Sequence, residues 1–468
     1  MRFAPSRYNT LADTADGRGH LVFNAFTGAL LELGDSEYAA VSALHEAPTP
    51  GLGTASGGPA SEPLPEVSDV LRERLVRAGV LVPQGFDERE ALFDIRRRAL
   101  ASPDALLLTL APTIQCNFRC TYCFETHRQE VMAPAVEGDL VRFIVAQSAG
   151  VRSITTTWFG GEPLLQPDIV ERVQRFTNEW GASRGIAVKR GIVTNGYFLA
   201  DDMVARLQRL GAWEMVQVTL DGLPGTHDQR RVLLGGQGTW HRIVANCRTA
   251  LAAGLPVNLR INVDRRNAPS LGALLDVLID GGVVPAAHVS LGFIVDSTGA
   301  CAHVKDDVLR DEERARIVVR FDAELLQRGI PPTATLPSPI CGPLCSVESR
   351  LGFVVAPSGL IFKCWHQIDG DATQAIGHFS GSHVPNADAK QRRWQRYDPS
   401  IRRGCSNCSA LPTCMGGCPW EYERLGRVEH GECDPFRFFP RELVTLAHAG
   451  MKLPGRAGSS QPNQRLAR

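Results

Sequence analysis

The sequence LLLTLAPTIQCNFRCTYCFE, residues 106–125, decides how the rest of the chain is interpreted. It begins as an apolar run typical of a buried strand and ends in a loop where Cys116, Cys120 and Cys123 follow the spacing Cys-x3-Cys-x2-Cys. Three thiolates this close can hold an iron–sulfur cluster that leaves one iron open. They can also hold zinc if His127 supplies a fourth ligand. Spacing alone leaves both alternatives open.

The composition limits the possible functions. A chain of 468 residues predicts about two to four domains. Lys plus Arg and Asp plus Glu are both 50, so charge gives no reason to expect nucleic acid or an anionic membrane as partner. The N-terminus has no secretion signal, and no apolar run is long enough to span a membrane, so we expect a soluble, cytoplasmic protein.

The cysteines favour metal over disulfides. There are 13 of them, an odd number, in a long chain without a secretion signal. None lies in residues 1–115, three lie in 116–123 and eight lie in 341–433. Cys247 falls in a helical pattern and is expected to be a buried small hydrophobe. Cys301 follows the last predicted barrel strand, where a structural thiol or a substrate-facing thiol would both fit.

Residues 101–310 alternate strands and helices at a period of roughly 35 residues, repeated six times. This predicts an α/β fold with a parallel sheet, interpreted as a partial (β/α)6 TIM-like barrel, although alternation alone does not exclude an open sheet. The strand candidates are LLLTLAP, ITTTWF, AVKRGIVT, MVQVTL, VNLRIN and HVSLGFIV.

Three further units are predicted outside the barrel. Residues 1–100 combine a hairpin turning at 26–28, two helices and a Pro/Gly/Ser-rich loop over 47–66, which indicates a winged-helix-like domain. Residues 311–440 begin with a charged helix and become cysteine-rich, as in a domain stapled by metal. Residues 441–468 predict a helix remnant and a disordered tail.

At the end of a first barrel strand, the Cys116, Cys120 and Cys123 loop resembles the signature of the radical SAM superfamily. The resemblance implies a [4Fe–4S] cluster whose open iron binds the amino and carboxylate groups of S-adenosylmethionine (SAM). Electron transfer would then release a 5′-deoxyadenosyl radical that abstracts hydrogen from an unactivated carbon. The missing fourth ligand would be SAM itself.

Other residues at predicted strand ends match the same family. WFGGEPLL follows the second strand, and the resemblance implies that its glycines approach the methionine end while Glu162 accepts from the SAM ammonium. Residues 221–231, DGLPGTHDQRR, match a further segment in which Arg231 would pair with the SAM carboxylate; a solvated turn with a structural ion pair is the alternative. The expected SAM contacts are Tyr122, Gly160, Gly161, Glu162, Asn195 and Arg231.

The later cysteines resemble the SPASM domain, which holds two auxiliary [4Fe–4S] clusters beside a radical SAM barrel. The matching pattern is Cys-x13-Gly-x4-Cys from residue 345, followed by Cys-x2-Cys-x5-Cys-x3-Cys from residue 405. Spacing alone also fits zinc knuckles. By the resemblance, auxiliary cluster I is held by Cys341, Cys345, Cys364 and Cys418. Auxiliary cluster II is held by Cys405, Cys408, Cys414 and Cys433.

Two subfamilies of this architecture compete. Anaerobic sulfatase maturases, which make formylglycine, carry Asp directly after the auxiliary cysteine that follows the Gly-x4 spacer. Here Trp365 holds that position, with His366 next to it as a substitute base. Peptide maturases act on ribosomally made precursors, and many bind a leader peptide through an N-terminal winged-helix domain, which residues 1–95 resemble.

The sequence therefore predicts a SPASM-type peptide maturase that uses SAM and three [4Fe–4S] clusters. Its expected partners are a precursor peptide with a leader and a low-potential electron donor such as flavodoxin or ferredoxin. An oxidative cross-link is the expected product. A non-catalytic iron–sulfur electron carrier or redox sensor is the alternative outside enzymes. Beyond the cluster ligands, no catalytic side chain is identified from the sequence.

Overall fold

The computed structural model describes most of the chain, in ten segments. The predicted loop over 47–66 and most of the predicted C-terminal tail lie outside them. The described residues are 2–46, 67–296, 298–333, 336–337, 339–340, 345–379, 381, 383–399, 404–425 and 433–454, without the side chains of Ala300 and Leu425.

The N-terminal region contains the predicted hairpin and helices. A three-stranded antiparallel sheet has the order β2-β3-β4, and β1 pairs antiparallel with β5. The hairpin turn lies between β3 and β4, as predicted from its sequence. The elements are β1 (Phe3–Pro5), β2 (Asn9–Asp13), β3 (His20–Asn24), β4 (Ala29–Leu33), α1 (Asp35–Glu46), α2 (Asp69–Arg77), β5 (Leu81–Pro83) and α3 (Glu88–Ala101).

The middle region confirms the six predicted strands with helices between them. A short antiparallel pair, β7 with β11, lies outside the main sheet. The elements are β6 (Ala105–Leu110), β7 (Phe118–Cys120), α4 (Pro134–Gln147), β8 (Ser153–Trp158), α5 (Pro167–Arg184), β9 (Ala187–Thr194), α6 (Asp201–Gln208), β10 (Met215–Thr219), α7 (Pro224–Arg230), β11 (Arg231–Leu233), α8 (Trp240–Ala252), β12 (Val257–Val263), α9 (Leu271–Asp280) and β13 (His288–Phe293).

The C-terminal region consists of a long helix, a small meander and short helices. Six of its seven described cysteines lie outside helices and strands, and the seventh, Cys414, ends a short helix. The elements are α10 (Asp311–Gln327), β14 (Gly352–Val355), β15 (Leu360–Phe362), β16 (Gly377–His378), α11 (Ala387–Gln395), α12 (Leu411–Cys414), α13 (Pro419–Leu425) and α14 (Pro440–Met451).

The strand order identifies the sheet as barrel-like. The nine-stranded sheet has the order β13-β12-β10-β9-β8-β6-β14-β15-β16, and the strands from β13 through β14 are parallel to their neighbours. Six strands follow one another across the sheet in chain order. Connections between parallel strands are right-handed as a rule, and with this order the rule puts all the connecting helices on one face. A doubly wound sheet would instead reverse its order at a switch point. This order favours the partial barrel over the open sheet.

The largest core lies between this sheet and its helices and includes Trp158, Leu220, Ile261 and Phe321, all almost completely buried. Cys247 belongs to this core, 1% exposed, as its helical pattern predicted. Because the strands are parallel, their carboxyl ends lie at one edge, where the βα loops converge. In the described part of the chain, no helix is long and apolar enough to cross a membrane.

Candidate active site

The three-cysteine loop follows β6 at the carboxyl edge of the sheet. Within it, β7 pairs with β11 in a register that places Cys120 opposite Arg231. The Phe118 N–H donates to Cys116 Sγ at 3.4 Å. The loop is therefore fixed by a backbone ladder, and the Cys120 thiol lies near the Arg231 guanidinium.

The three thiols occupy a site that disfavours bare charge. Burial raises the pKa of Cys116 to about 12, with further contributions from Glu162 and Cys120. Burial also raises the pKa of Cys120, against the effect of Arg231, and raises that of Cys123 well above its ordinary value. Iron ligation deprotonates thiols and supplies the missing positive charge, so this donor set fits the predicted cluster.

The turn formed by Gly160, Gly161 and Glu162, called the GGE turn, follows β8, and its two glycines allow close packing against the cysteine loop. A Cβ on Gly161 would lie 2.2 Å from the Gln115 carbonyl oxygen, and one on Gly160 would lie 2.6 Å from that of Thr113. Gly160 also has φ +106°, which L side chains rarely adopt. A Cβ at either position would meet the backbone before or within the cysteine loop, and at Gly160 also the Ala111 side chain, so the need for glycine follows from the position of the loop.

Glu162 is completely buried, and its carboxylate ties its own turn to the end of β9. Its carboxylate accepts from the Leu164 N–H at 2.9 Å, Thr194 Oγ1 at 2.8 Å and the Asn195 N–H at 2.7 Å. Burial outweighs these hydrogen bonds and raises its pKa to about 6. The carboxylate thus fixes the end of β9 beside the GGE turn.

Asn195 extends this connection to the cysteine loop. Its Nδ2 donates to Asn117 Oδ1 at 2.8 Å and lies 3.9 Å from Cys116 Sγ. The structure therefore brings the GGE turn, the end of β9 and the first cysteine together.

Tyr122 and Arg231 form a buried network on the other side of the loop. The Tyr122 hydroxyl donates to Asp221 and accepts from Arg231 Nη1 at 2.8 Å and from Asn262 Nδ2 at 3.1 Å. Arg231 Nε is buried and has no hydrogen-bond partner among the described residues. A buried guanidinium with an unused donor fits an anionic group such as the SAM carboxylate.

The charged side chains of the 221–231 segment that the SAM prediction uses are buried, whereas Gly225 and Gln229 are exposed. Arg230 also forms a structural ion pair with Asp264, as the alternative expected. Asp221 and His227 are 0% exposed and Arg231 is 6% exposed. The Asp221 N–H donates to His227 Nδ1, which leaves the His227 proton on Nε2, 3.0 Å from Thr239 Oγ1. Asp228 accepts from two N–H groups at the start of α8. Within this motif, Asp221 and Arg231 both hydrogen-bond to the cysteine-loop tyrosine, Tyr122.

The first auxiliary set is brought together in part. Cys345, Cys364 and Cys418 lie near one another, since the pKa of Cys364 is raised well above its ordinary value first by burial and then by the Cys345 and Cys418 thiolates. Cys341 lies outside the described residues. The assignment of these four to auxiliary cluster I stays a prediction.

The second auxiliary set is arranged around one arginine. Arg437 Nη1 donates to Cys433 Sγ at 3.2 Å, and the Cys433, Cys408 and Cys405 thiolates help to raise the Arg437 pKa. Cys405, Cys408 and Cys414 pack against the same apolar cluster. The assignment of Cys405, Cys408, Cys414 and Cys433 to auxiliary cluster II stays a prediction, and this placement is compatible with it.

A layer of aromatic rings joins the first cysteine loop to the first auxiliary set. Phe124 contacts Phe159 and His366, with centroids 6.4 and 4.7 Å apart. Phe159 stacks on Trp365 at 5.5 Å, and His366 stacks on Trp420 at 5.6 Å. Trp365 and His366 follow Cys364 in the chain, so this layer lies between the two sets of thiols.

Around this layer lie polar atoms without partners, which the sequence did not reveal. Because buried polar atoms are nearly always hydrogen-bonded, four such atoms in one region point to a missing ligand. The only sequence signal for these atoms is that their residues lie next to the aromatic residues in the chain. The atoms without a hydrogen-bond partner in the described part of the chain are Glu125 Oε2, Gln367 Oε1, Trp420 Nε1 and Glu421 Oε1.

Two other candidates from the sequence are Cys301 as a substrate-facing thiol and His127 as a zinc ligand. Cys301 is completely buried, with its Sγ near the Val295 and Thr298 carbonyl oxygens, so it is not a substrate-facing thiol in this conformation. Within the described ranges, no three His, Cys, Asp or Glu side chains converge closely enough to hold a single metal ion. His127 and the three cysteines of the loop are among these side chains, so they do not form a site for a single metal ion in the described structure.

Comparison with known proteins shows what the chain is similar to. A family model described as Radical SAM superfamily matches residues 110–267. The chain is 26% identical over 366 residues to the serine-type anaerobic sulfatase-maturating enzyme of Klebsiella aerogenes, covering 73% of this chain and 85% of that protein. It is 24% identical over 332 residues to the PqqA peptide cyclase of Ruegeria pomeroyi, covering 68% and 82%.

A solved structure of Streptococcus suis SuiB bound to precursor peptide SuiA has the same fold, with TM-score 0.52 and 14% identity. The match covers 93% of this chain, including the N-terminal region, and 99% of that chain. Residues 110–267 thus match the radical SAM superfamily, and the chain is an enzyme.

Proposed function

We propose that this enzyme is a maturase that abstracts hydrogen from a ribosomally made precursor peptide and installs an oxidative cross-link. The observation that carries the proposal is the aromatic layer with its unpartnered polar atoms, between the three-cysteine loop and the first auxiliary cysteines. A peptide offers N–H donors and carbonyl acceptors at regular spacing, which suits three oxygen acceptors and one indole donor.

The residues present fit SAM and a cluster. Cys116, Cys120 and Cys123 would bind iron, and Arg231 Nε would donate to the SAM carboxylate. Glu162 already accepts three hydrogen bonds, so its role would be to hold the turn in place, with the SAM ammonium as an added partner. When bound, SAM and its reduced cluster supply the radical that attacks an unactivated carbon. The buried aromatic layer would exclude water from that radical.

The auxiliary cysteines support an oxidative outcome. A cross-link removes two hydrogens from the peptide, so one electron and one proton must leave after the first hydrogen atom is abstracted; the proton would pass to solvent and the electron to a cluster. Two auxiliary [4Fe–4S] clusters would take that electron, and the surrounding protein would set their potentials. The first cluster needs a separate low-potential electron donor, which we propose to be a flavodoxin or ferredoxin.

The N-terminal region would bind the leader of the precursor. Its three-stranded sheet has two edge strands, β2 and β4, and an extended peptide can add to such an edge through main-chain hydrogen bonds. We propose residues 1–100 as this recognition domain, 101–310 as the barrel and 311–440 as the auxiliary-cluster domain.

Formylglycine formation in a sulfatase is the second candidate, because the sulfatase-maturating relative aligns over most of its length. The residue after Cys364 argues against it. Trp365 stacks on Phe159 there, whereas the sulfatase maturases have an aspartate, so this position offers no carboxylate base. His366 is stacked on Trp420, and burial lowers its pKa to about 4, so it stays neutral at neutral pH.

The test is co-expression under anaerobic conditions with each small reading frame beside the gene, followed by intact-mass measurement of each peptide. We expect one peptide to lose two hydrogens per modified site, and we expect no loss with the matched Cys116→Ala variant. If no peptide changes mass, and none incorporates deuterium from deuterated water, the peptide-maturase proposal is wrong. A sulfatase client converted to formylglycine in the same cells would favour the second candidate.

A further inference from the structure

The N-terminal sheet shares a hydrophobic core with the second auxiliary cysteines. Tyr8 and Phe23 are 1% and 0% exposed and belong to the same apolar cluster as Met415 and Phe436. The Phe23 and Phe436 rings lie 5.6 Å apart and nearly perpendicular. Cys405, Cys408 and Cys414 pack directly against this cluster. A surface module that only captured a peptide would have no need to contribute to this core.

A polar contact joins the same sheet region to the loop between two of these cysteines. Arg7 Nη2 donates at 3.1 Å to Oδ1 of Asn407, which lies between Cys405 and Cys408. The Arg7 N–H donates to Glu88 at 2.9 Å, and the Ser6 hydroxyl also donates to it. Glu88 is 5% exposed and is the first residue of α3, so the N-terminal strands are fixed to the start of that helix.

The other end of α3 reaches the first auxiliary set. Arg96 forms a buried ion pair with Glu348, whose side chains are 4% and 2% exposed. The second carboxylate oxygen of Glu348 accepts from the Cys345 N–H at 3.4 Å, and the Glu348 N–H donates to the Cys345 carbonyl at 3.2 Å. The guanidinium therefore neutralises a carboxylate that closes the turn around a predicted cluster ligand. Without Arg96, that carboxylate would be buried with its charge uncompensated by this partner.

We propose that the N-terminal region, residues 2–46 and 67–83, together with α3, supports both auxiliary cluster sites. Arg96 is a positioning residue for the Cys345 turn, and Arg7 with the shared core positions the Cys405–Cys408 loop. This goes beyond leader recognition, and it rests on the ligand sets of the proposed function. A chain without this region would lose auxiliary clusters as well as peptide binding.

The test counts iron in the full-length chain with Cys116, Cys120 and Cys123 all replaced by Ala, so that only auxiliary clusters contribute. In this background we compare Arg96→Met with Arg97→Met. Arg97 is the next residue on α3 and makes exposed ion pairs with Glu90 and Asp94. We expect Arg96→Met to lose about half of the iron and sulfide and one of two electron paramagnetic resonance signals, and Arg97→Met to lose neither.

A double variant, Arg96→Met with Glu348→Met, separates charge from folding, because it removes both buried charges at once. We expect the double variant to fold and to keep the iron loss of Arg96→Met, because it also lacks the Glu348 oxygen that accepts from the Cys345 N–H. Equal iron and identical spectra in Arg96→Met and Arg97→Met would overturn the proposal. So would a double variant that folds with the same iron content as Arg97→Met.

A second contact is tested without touching the buried pair. Arg7→Ala should release iron to a chelator several-fold faster than Arg18→Ala, a matched arginine in the same region, and equal rates would contradict the role of Arg7. No assay here uses a peptide, so failure of the proposed reaction leaves these results unaffected. If the triple-alanine background itself binds no iron, the auxiliary ligand assignment is wrong, and this inference with it.

Discussion

The buried polar residues around the three-cysteine loop differ in how completely they are satisfied. Glu162 uses both carboxylate oxygens within the protein, whereas Arg231 retains a buried Nε without a partner. A satisfied group holds the site in shape, and an unsatisfied one is available to a ligand. The sequence identified both residues through their motif, but could not separate these two roles, because each depends on contacts with residues more than 30 positions away.

Arg231→Lys should weaken SAM binding. A lysine keeps the charge but loses the planar donor set that can serve Tyr122 and a carboxylate together. We expect the dissociation constant for SAM to rise about tenfold or more, corresponding to about 1.5–3 kcal/mol for a charged hydrogen bond, while iron content stays unchanged. Isothermal titration of the iron-loaded protein measures this. Arg242→Lys, at an exposed arginine on the Tyr197 ring, is the control. Equal affinity in both variants would contradict the assigned role.

His227 should make stability depend on pH. Burial, followed by the charges of Arg231 and Arg230, lowers its pKa well below the ordinary value of 6.5. Above pH 6.5, His227 is neutral in both the folded and the unfolded chain, so its full contribution to the unfolding free energy is present. As pH falls through 6.5, the unfolded chain binds a proton that the folded chain excludes, so stability is lost by up to about 1.4 kcal/mol per pH unit until the folded pKa is reached.

His227→Gln should remove that part of the slope. Denaturant unfolding, measured at several pH values on either side of 6.5, should show the stability gap between wild type and variant shrinking toward acid. His241→Gln, at an exposed neighbour in α8, should leave the slope unchanged. A constant gap for His227→Gln across this range would refute the prediction.

At the scale of elements, periodicity predicted the strands and helices of the barrel, because each has a buried face with a clear repeat. It could not predict β7 and β11, which are three residues each and pair across more than 100 positions. That pair sets Cys120 opposite Arg231. The GGE turn, Gly160–Glu162, is a second contact between elements, because its glycines are needed where it packs against the loop that follows β6.

Gly161→Ala should disturb the cysteine loop. The added Cβ would meet the Gln115 and Ile114 carbonyl oxygens at 2.2 and 2.4 Å, so the turn or the loop must move. We expect a loss of about 1–3 kcal/mol in unfolding free energy, together with reduced iron binding and SAM cleavage. Gly225→Ala has nothing within 4 Å of its Cβ and should change none of these. Normal iron content in Gly161→Ala would show that the loop tolerates the shift.

At the scale of the whole molecule, the sequence predicted a barrel, an N-terminal winged-helix-like region and a cysteine-rich region as separate units. The structure joins them more closely. β14 of the C-terminal region adds to the barrel sheet beside β6, and the N-terminal sheet packs on the second auxiliary cysteines. Contacts between distant segments leave no local repeat in the sequence, so neither was predicted. The grouping of cysteines came from resemblance, since spacing alone does not pair Cys364 with Cys418.

The proposed function has a SAM-derived radical attack a peptide between the first cysteine loop and the auxiliary cysteines. Deuterium transfer from the peptide to 5′-deoxyadenosine tests this step. The precursor peptide that changes mass would be prepared from deuterated amino acids and incubated anaerobically with enzyme, SAM and a reductant. We expect deuterium in the 5′-deoxyadenosine product and none with Cys116→Ala. Modified peptide accompanied by unlabelled 5′-deoxyadenosine would contradict this proposal.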